Sequence, residues 1–161
     1  MRFDKITTKD DKALADIVRD NLKKHNLNLP GTAYYDENLN YLSMFYLEKD
    51  AKRFYYVLRD DEDNVIGGVG LAKVEFFENC AELQKLYLTD SAKGAGIGYK
   101  LISLIEDKAR EFGYQRMYLE THTNLAAAIH IYEKCGYKEI QQPAEVVHAT
   151  MNRFYIKELY E

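Results

Sequence analysis

Apolar residues recur at three- and four-residue spacing in three stretches of the chain and sit in β-rich runs between them, a rhythm that sets out alternating helices and strands. Leu14, Ile17, Val18 and Leu22 form the first helical stripe, with Thr8-Lys9-Asp10 as capping chemistry and a strand over Arg2 to Thr7 ahead of it. Leu101, Ile102, Leu104, Ile105, Ala109 and Phe112 form the second, stopped by Gly113. The third runs from Leu125 to Cys135, with Leu125, Ala128, Ile129 and Tyr132 on one side and Gly136 at its end. Arg53 to Leu58 and Val65 to Val74 flank the polar turn Asp60-Asp61-Glu62-Asp63-Asn64 and read as an antiparallel hairpin. Further strands are expected over Cys80 to Leu88, Arg116 to Glu120, Tyr137 to Ile140 and about Val147 to Leu159. Leu29-Pro30-Gly31 breaks the first helix. A short helical stretch around Leu39, Leu42, Met44 and Phe45 then follows, with Asp36 placed as its N-cap, and reads as a lid. No linker or repeat interrupts the order, so residues 1–161 are expected to form one mixed α/β domain.

Two details of this pattern point to a ligand. In the Cys80 to Leu88 run the apolar positions are 83, 86 and 88, so parity slips once, as an inserted bulge residue would produce. The run then enters Lys93-Gly94-Ala95-Gly96-Ile97-Gly98 and, directly, the second helix. Glycines at alternate positions let the backbone turn its N–H groups toward an anion at the positive end of the helix dipole. A Walker loop is excluded because Gly98 is followed by Tyr99 and Lys100 rather than Lys and Ser or Thr. A dinucleotide fingerprint is excluded because Tyr99 stands where its third glycine belongs.

With its basic first residue and glycines at 94, 96 and 98, the loop resembles the pyrophosphate loop of the GNAT superfamily of N-acetyltransferases. Lys93 stands where that family usually has Arg or Gln. The flanks match as well: Ala81-Glu82-Leu83-Gln84-Lys85-Leu86-Tyr87-Leu88 is similar to the strand before the loop, and Asn124, Ala127, Ala128, Tyr132, Gly136 and Tyr137 to the second cofactor element. The resemblance covers Ala81 to Tyr137 and implies a central, mostly antiparallel sheet splayed at one parallel pair and flanked by helices. It implies acetyl-CoA as cofactor, with the pyrophosphate at Lys93, Gly94, Ala95, Gly96, Ile97, Gly98 and Tyr99. The pantetheine arm would lie along Leu86, Tyr87 and Leu88 and near Asn124 and Ala127. The slot between the parallel strands would receive that arm.

Acetyl transfer to an amine needs a neutral nitrogen, a stabilised oxyanion and a proton for the leaving thiolate. By the resemblance Glu82 is the base or the substrate anchor; on its own it could equally be a strand carboxylate paired with Lys85 or Lys73. Tyr132 takes the position of the general acid, although its helical stripe would also bury it as core. Asn124 stands equally well as an N-cap. Backbone groups of Leu86 and Leu88 are candidates for the oxyanion donor. Tyr34, Tyr35, Asp36 and Glu37, with Glu75 and Glu78, fall in segments bordering the acceptor site, which favours a cationic small molecule over a peptide.

Charge and cysteine usage narrow the picture only a little. A net charge of −4 argues against a nucleic-acid groove, and no apolar run is long enough to span a bilayer. Cys80 and Cys135 lack any metal or disulfide-framework spacing, and Cys135 has no base beside it in sequence. His25, His122, His130 and His148 form no ligand pattern, so no metal is expected. The N-terminus carries no apolar signal, which points to the cytoplasm. A homodimer is compatible with these features. A module that binds coenzyme A without chemistry is the second reading, opposed by the presence of both Glu82 and Tyr132.

Overall fold

The computed structural model describes residues 1–147 and 149–160. Seven strands form one sheet: β1 (Arg2–Lys5), β2 (Phe54–Arg59), β3 (Val65–Val74), β4 (Cys80–Leu88), β5 (Arg116–Thr121), β6 (Lys138–Ile140) and β7 (Arg153–Glu158). Their spatial order is β1-β2-β3-β4-β5-β7-β6, and every neighbouring pair is antiparallel except β4 with β5. Four α-helices accompany them: α1 (Asp11–Lys24), α2 (Leu42–Tyr46), α3 (Ile97–Glu111) and α4 (Ala126–Lys134).

Each face of the sheet carries its own core. On one side Leu101, Ile102, Ile105 and Ala109 of α3 pack with Ile129 and Tyr132 of α4 against Leu71, Leu83, Met117 and Leu119. On the other, Leu14, Val18 and Leu22 of α1 meet Leu42 and Tyr46 of α2 and Tyr55 and Val57 of β2. The helical stripes read from the sequence are therefore the buried faces. Burying several Leu and Ile side chains at roughly 1.5–3 kcal/mol each is what holds these helices to the sheet.

The expected capping residues Thr8 to Asp10 form a 3₁₀ turn directly ahead of α1, and the cap itself is Thr7. Thr7 closes a capping box with Asp10 over a short 3₁₀ turn that runs into α1, and the Thr7 amide donates to the Asp10 carboxylate at 2.8 Å. Arg59 of β2 pairs with that buried carboxylate at 2.9 Å, so one side chain ties the helix start to the sheet. Asp36 caps a 3₁₀ turn (Glu37–Tyr41) without a side-chain bond. The last strand is shorter than expected, beginning at Arg153; residue 148 of the expected stretch lies outside the described residues.

One buried ion cluster braces α3 against the end of the chain. The Glu106 carboxylate accepts the Tyr137 hydroxyl at 2.8 Å and the Lys157 ammonium at 3.0 Å. Tyr137→Phe is expected to cost about 1–2 kcal/mol by removing one bond. Lys157→Met is expected to cost more, about 3–5 kcal/mol, because it strands a buried charge. Urea unfolding of both variants checks the order.

Candidate active site

The site starts from a backbone irregularity. Lys85 adopts φ 49°, a left-handed conformation that a lysine rarely takes, and the β3–β4 register shifts at the same place, between Gly70–Gln84 and Gly68–Tyr87. Before the bulge Ala81 and Leu83 face α3; after it Leu86 does, while Tyr87 packs toward α1. Gln84 and Lys85 are thus both turned to the α1 face that Glu82 shares. The bulge is the one that the parity slip predicted.

Its effect on the sheet is to end the parallel pairing. β4 and β5 are matched only over Cys80–Arg116, Ala81–Met117 and Glu82–Tyr118. Beyond Glu82 the strands diverge, and a slot of about 540 Å³ opens between them. Leu83, Lys85, Leu86, Tyr87 and Leu88 line one wall, Glu120 and Thr121 the other, with Ala127, Ala128, Ile131 and Tyr132 of α4 alongside.

At its outer end the slot meets the glycine loop, where Lys93, Gly94, Gly96, Ile97, Gly98 and Tyr99 line it. Gly94 and Gly96 hold φ 88° and 74° with open space where a Cβ would sit, so conformation rather than crowding requires glycine. A Cβ on Gly98 would lie 3.1 Å from Ile131, so that glycine lets α4 come close. The amides of Ile97, Gly98 and Tyr99 donate to no described residue and face the positive end of the α3 dipole. Such a set of free donors fits a diphosphate.

The Lys93 ammonium lines the slot and already has protein partners. It donates to Asn21 Oδ1 at 3.1 Å and reaches Asp90 at 3.2 Å. The Asn21 amide in turn donates to the carbonyls of Ile17 and Leu88, each at 2.9 Å, so α1 is bonded to the last residue of β4. Asn21 is a residue that the sequence reading missed; a polar side chain four positions after Ile17, inside an apolar stripe, was the available signal. Asn124 is neither the N-cap of α4, which is Leu125, nor a lining residue: its amide donates to the His25 carbonyl at 2.9 Å. The capping expectation is corrected because that amide instead closes α4 onto the end of α1. Ala95 does not line the slot either.

Toward the sheet's interior the groups become chemical. Tyr132 is buried, yet its hydroxyl has no hydrogen bond to a described residue and opens into the slot. Burial holds this phenol well above its usual range, so it stays protonated at neutral pH. Glu82 lies beside the slot rather than in its wall. Removal from water pushes its carboxyl up to about 7, and the nearby Glu120 charge pushes the same way. Gln84 opposes the shift by donating to Glu82 at 2.9 Å, and Gln84 itself accepts from the Tyr46 hydroxyl of α2 at 2.7 Å. Glu120, which the sequence reading did not single out, lines the slot and accepts the Tyr118 hydroxyl at 2.8 Å.

The expected acceptor segment is only partly brought to the site. Asp36 lies 3.9 Å from the Lys85 ammonium, so its charge is opposed by a cation rather than presented free. Tyr34 and Tyr35 stack edge to face on each other at 5.0 Å, and neither they nor Glu37 line the slot. Glu75 pairs with Lys73 at 3.7 Å, leaving Glu82 to Gln84 and not to Lys73. The acidity argued from this segment is therefore weaker than its residue types suggest.

An apolar slot opened by a β-bulge in a splayed parallel pair and ending on a glycine-rich helix start is a geometry that can be compared with known proteins. The acetyltransferase (GNAT) family model matches residues 15–137. The chain belongs to the GNAT acetyltransferase family. An uncharacterized N-acetyltransferase, YjgM, of Escherichia coli (strain K12) is 33% identical over 138 residues, which is 84% of this chain and 81% of that protein. Among solved structures, a GNAT-family acetyltransferase of Staphylococcus aureus Mu50 superposes with a TM-score of 0.83 at 20% identity, covering 98% of both chains. The PaiA N-acetyltransferase of Thermoplasma acidophilum, solved with coenzyme A, gives 0.76 at 17% identity over 98% of both. Among the described residues there is no metal-ligating cluster and no helix long and apolar enough to cross a membrane.

The loop geometry ranks two variants of this acetyltransferase. Lys93→Met is expected to weaken coenzyme A binding by less than about tenfold, since its exposed ammonium serves Asn21 and Asp90. Gly96→Val forces a branched side chain into a left-handed φ, a strain of about 1–3 kcal/mol, and is expected to weaken binding by tenfold or more. Calorimetric titration with coenzyme A checks the contrast.

Proposed function

We propose that this acetyltransferase moves the acetyl group of acetyl-CoA onto a primary amine of a small molecule or peptide by direct attack within a ternary complex. The observation that carries the reading is an unbonded phenol, Tyr132, in the wall of the slot and a partly buried carboxylate near neutrality, Glu82, on the strand beside it. The free amides of Ile97 to Tyr99, with Gly94 and Gly96, hold the diphosphate. Leu86 to Leu88, beside Ala127, present the β4 edge left without a partner strand to the pantetheine amides. Asn124 supports the arm indirectly, by fixing α4 to α1. Two free cysteines, one buried and one half-buried, suit a reducing cytoplasm.

An alkylammonium of pKa ~10 must lose a proton before it can attack. Glu82, whose carboxyl is pushed up to about 7 by removal from water, accepts that proton in its ionised form, directly or through one water. Glu120 adds a second negative charge that draws the ammonium inward. An unpaired backbone N–H on the β4 edge faces the charge that develops on the thioester oxygen. Tyr132 then gives its proton to the departing thiolate and regains one from solvent. Asp36, Tyr34, Tyr35 and Glu37 form the outer approach to the acceptor end.

Since the base works only when ionised, kcat/KM is expected to rise with pH through about 7 and level above it. Glu82→Gln should flatten that limb and lower kcat/KM by about 10²–10⁴; an unchanged profile would remove Glu82 as base. Tyr132→Phe should lower kcat by ~10² or more with acetyl-CoA binding retained. Gln84→Leu deletes the bond that holds the Glu82 pKa down, so the limb should move to higher pH.

A further inference from the structure

We propose that Lys85 is itself an acetyl acceptor, so that without an external amine the enzyme transfers acetyl from acetyl-CoA to its own Lys85 Nζ. The inference rests on the reading that Glu82 and Tyr132 flank the thioester. Two described lysines line the slot, and they are differently held. Lys93, at the loop end, is hydrogen-bonded to Asn21 and Asp90. Lys85, at the inner end, makes no side-chain hydrogen bond to a described residue; its nearest carboxylate oxygen, on Asp36, is 3.9 Å away, beyond hydrogen-bond reach.

The Lys85 ammonium reaches solvent and has Asp36 only at ion-pair distance, so no direct hydrogen bond to a described residue fixes its position. The backbone beneath it is nevertheless held firmly. The Tyr55 hydroxyl donates to the Lys85 carbonyl at 2.7 Å and secures the left-handed bulge residue. That bulge turns Lys85 to the sheet face where Glu82 stands, so a primary amine and the proposed base share one face beside the slot. Removal from water also lowers the Lys85 pKa, which enlarges the fraction of neutral, nucleophilic amine.

The step balances without any other reagent. Glu82 takes a proton from the Lys85 ammonium, and the freed nitrogen lone pair forms an N–C bond to the acetyl carbonyl. The C–S bond breaks, the sulfur leaves with the bonding pair and receives the Tyr132 proton, and the second nitrogen proton passes to solvent. The products are Nε-acetyl-Lys85 and coenzyme A. Acetylated Lys85 no longer offers a charge to Asp36 and fills the acceptor end with an amide.

The test incubates the full-length protein with acetyl-CoA and no amine, and follows acetylation by intact mass and peptide mapping. Lys12, whose side chain is 89% exposed, serves as the internal measure of uncatalysed acetylation. The proposal expects Lys85 to be labelled toward one acetyl per chain, at least tenfold faster than Lys12. It also expects labelling to be at least tenfold slower in Tyr132→Phe and suppressed by any amine that the enzyme turns over. Lys85 left unlabelled by an enzyme that acetylates an external amine overturns the self-acetylation and leaves the proposed function standing. Labelling no faster than Lys12, or unchanged in Tyr132→Phe, overturns it as ordinary chemical acetylation. Bound acetyl-CoA with neither labelling nor turnover on any amine overturns both.

Discussion

The structure depends on where a ladder of hydrogen bonds stops. β4 and β5 are joined for three residue pairs and then part, because one extra residue at Lys85 bends β4 away. Everything that makes the protein a transferase uses that departure. It exposes the β4 edge and opens the sheet between the two cores without leaving either uncovered. It also turns Gln84 and Lys85 to the α1 side of the sheet. A continuous parallel pair would be a better sheet and an inert one.

The two ends of the slot are built on different physics. The outer end is backbone: left-handed glycines and free amides at a helix start, with the Lys93 ammonium bonded to Asn21 of α1. The inner end is side chains, where burial shifts proton affinities. Glu82 is raised to about 7 chiefly by removal from water, and Tyr132 is kept neutral by the same cause. The hydrogen bond from Gln84 sets how far the Glu82 shift goes, which links the chemistry to α2 through Tyr46.

Much of this was legible in the sequence because it depended on local rules. Helical stripes, hairpin turn chemistry, alternate glycines and the slip of parity between Leu83 and Leu86 each report a backbone fact within a few residues. What could not be read was decided by partners far away in the chain. Asn124 looked like a cap, but the His25 carbonyl, 99 residues distant, claims its amide. Asp36 looked like free acidity until Lys85 was found opposite it, and Asn21 looked like an interruption of a core stripe until Leu88 and Lys93 were found bonded to it. Glu120 gave no local sign, since its importance comes only from where β4 has left an opening.

The segment of residues 33–46 reaches β4 through Tyr46 on Gln84 and Asp36 opposite Lys85, whereas the glycine-loop half is cross-braced by Asn21, Asn124 and Glu106. This asymmetry separates two kinds of evolutionary change. Exchanges across residues 33–46, none of which lines the slot, can alter how Gln84 and Lys85 are supported while the glycine loop keeps its geometry. A lineage built on this chain is thus free to vary the supports of the inner end by drift in a short segment, with the glycine-loop half inherited intact.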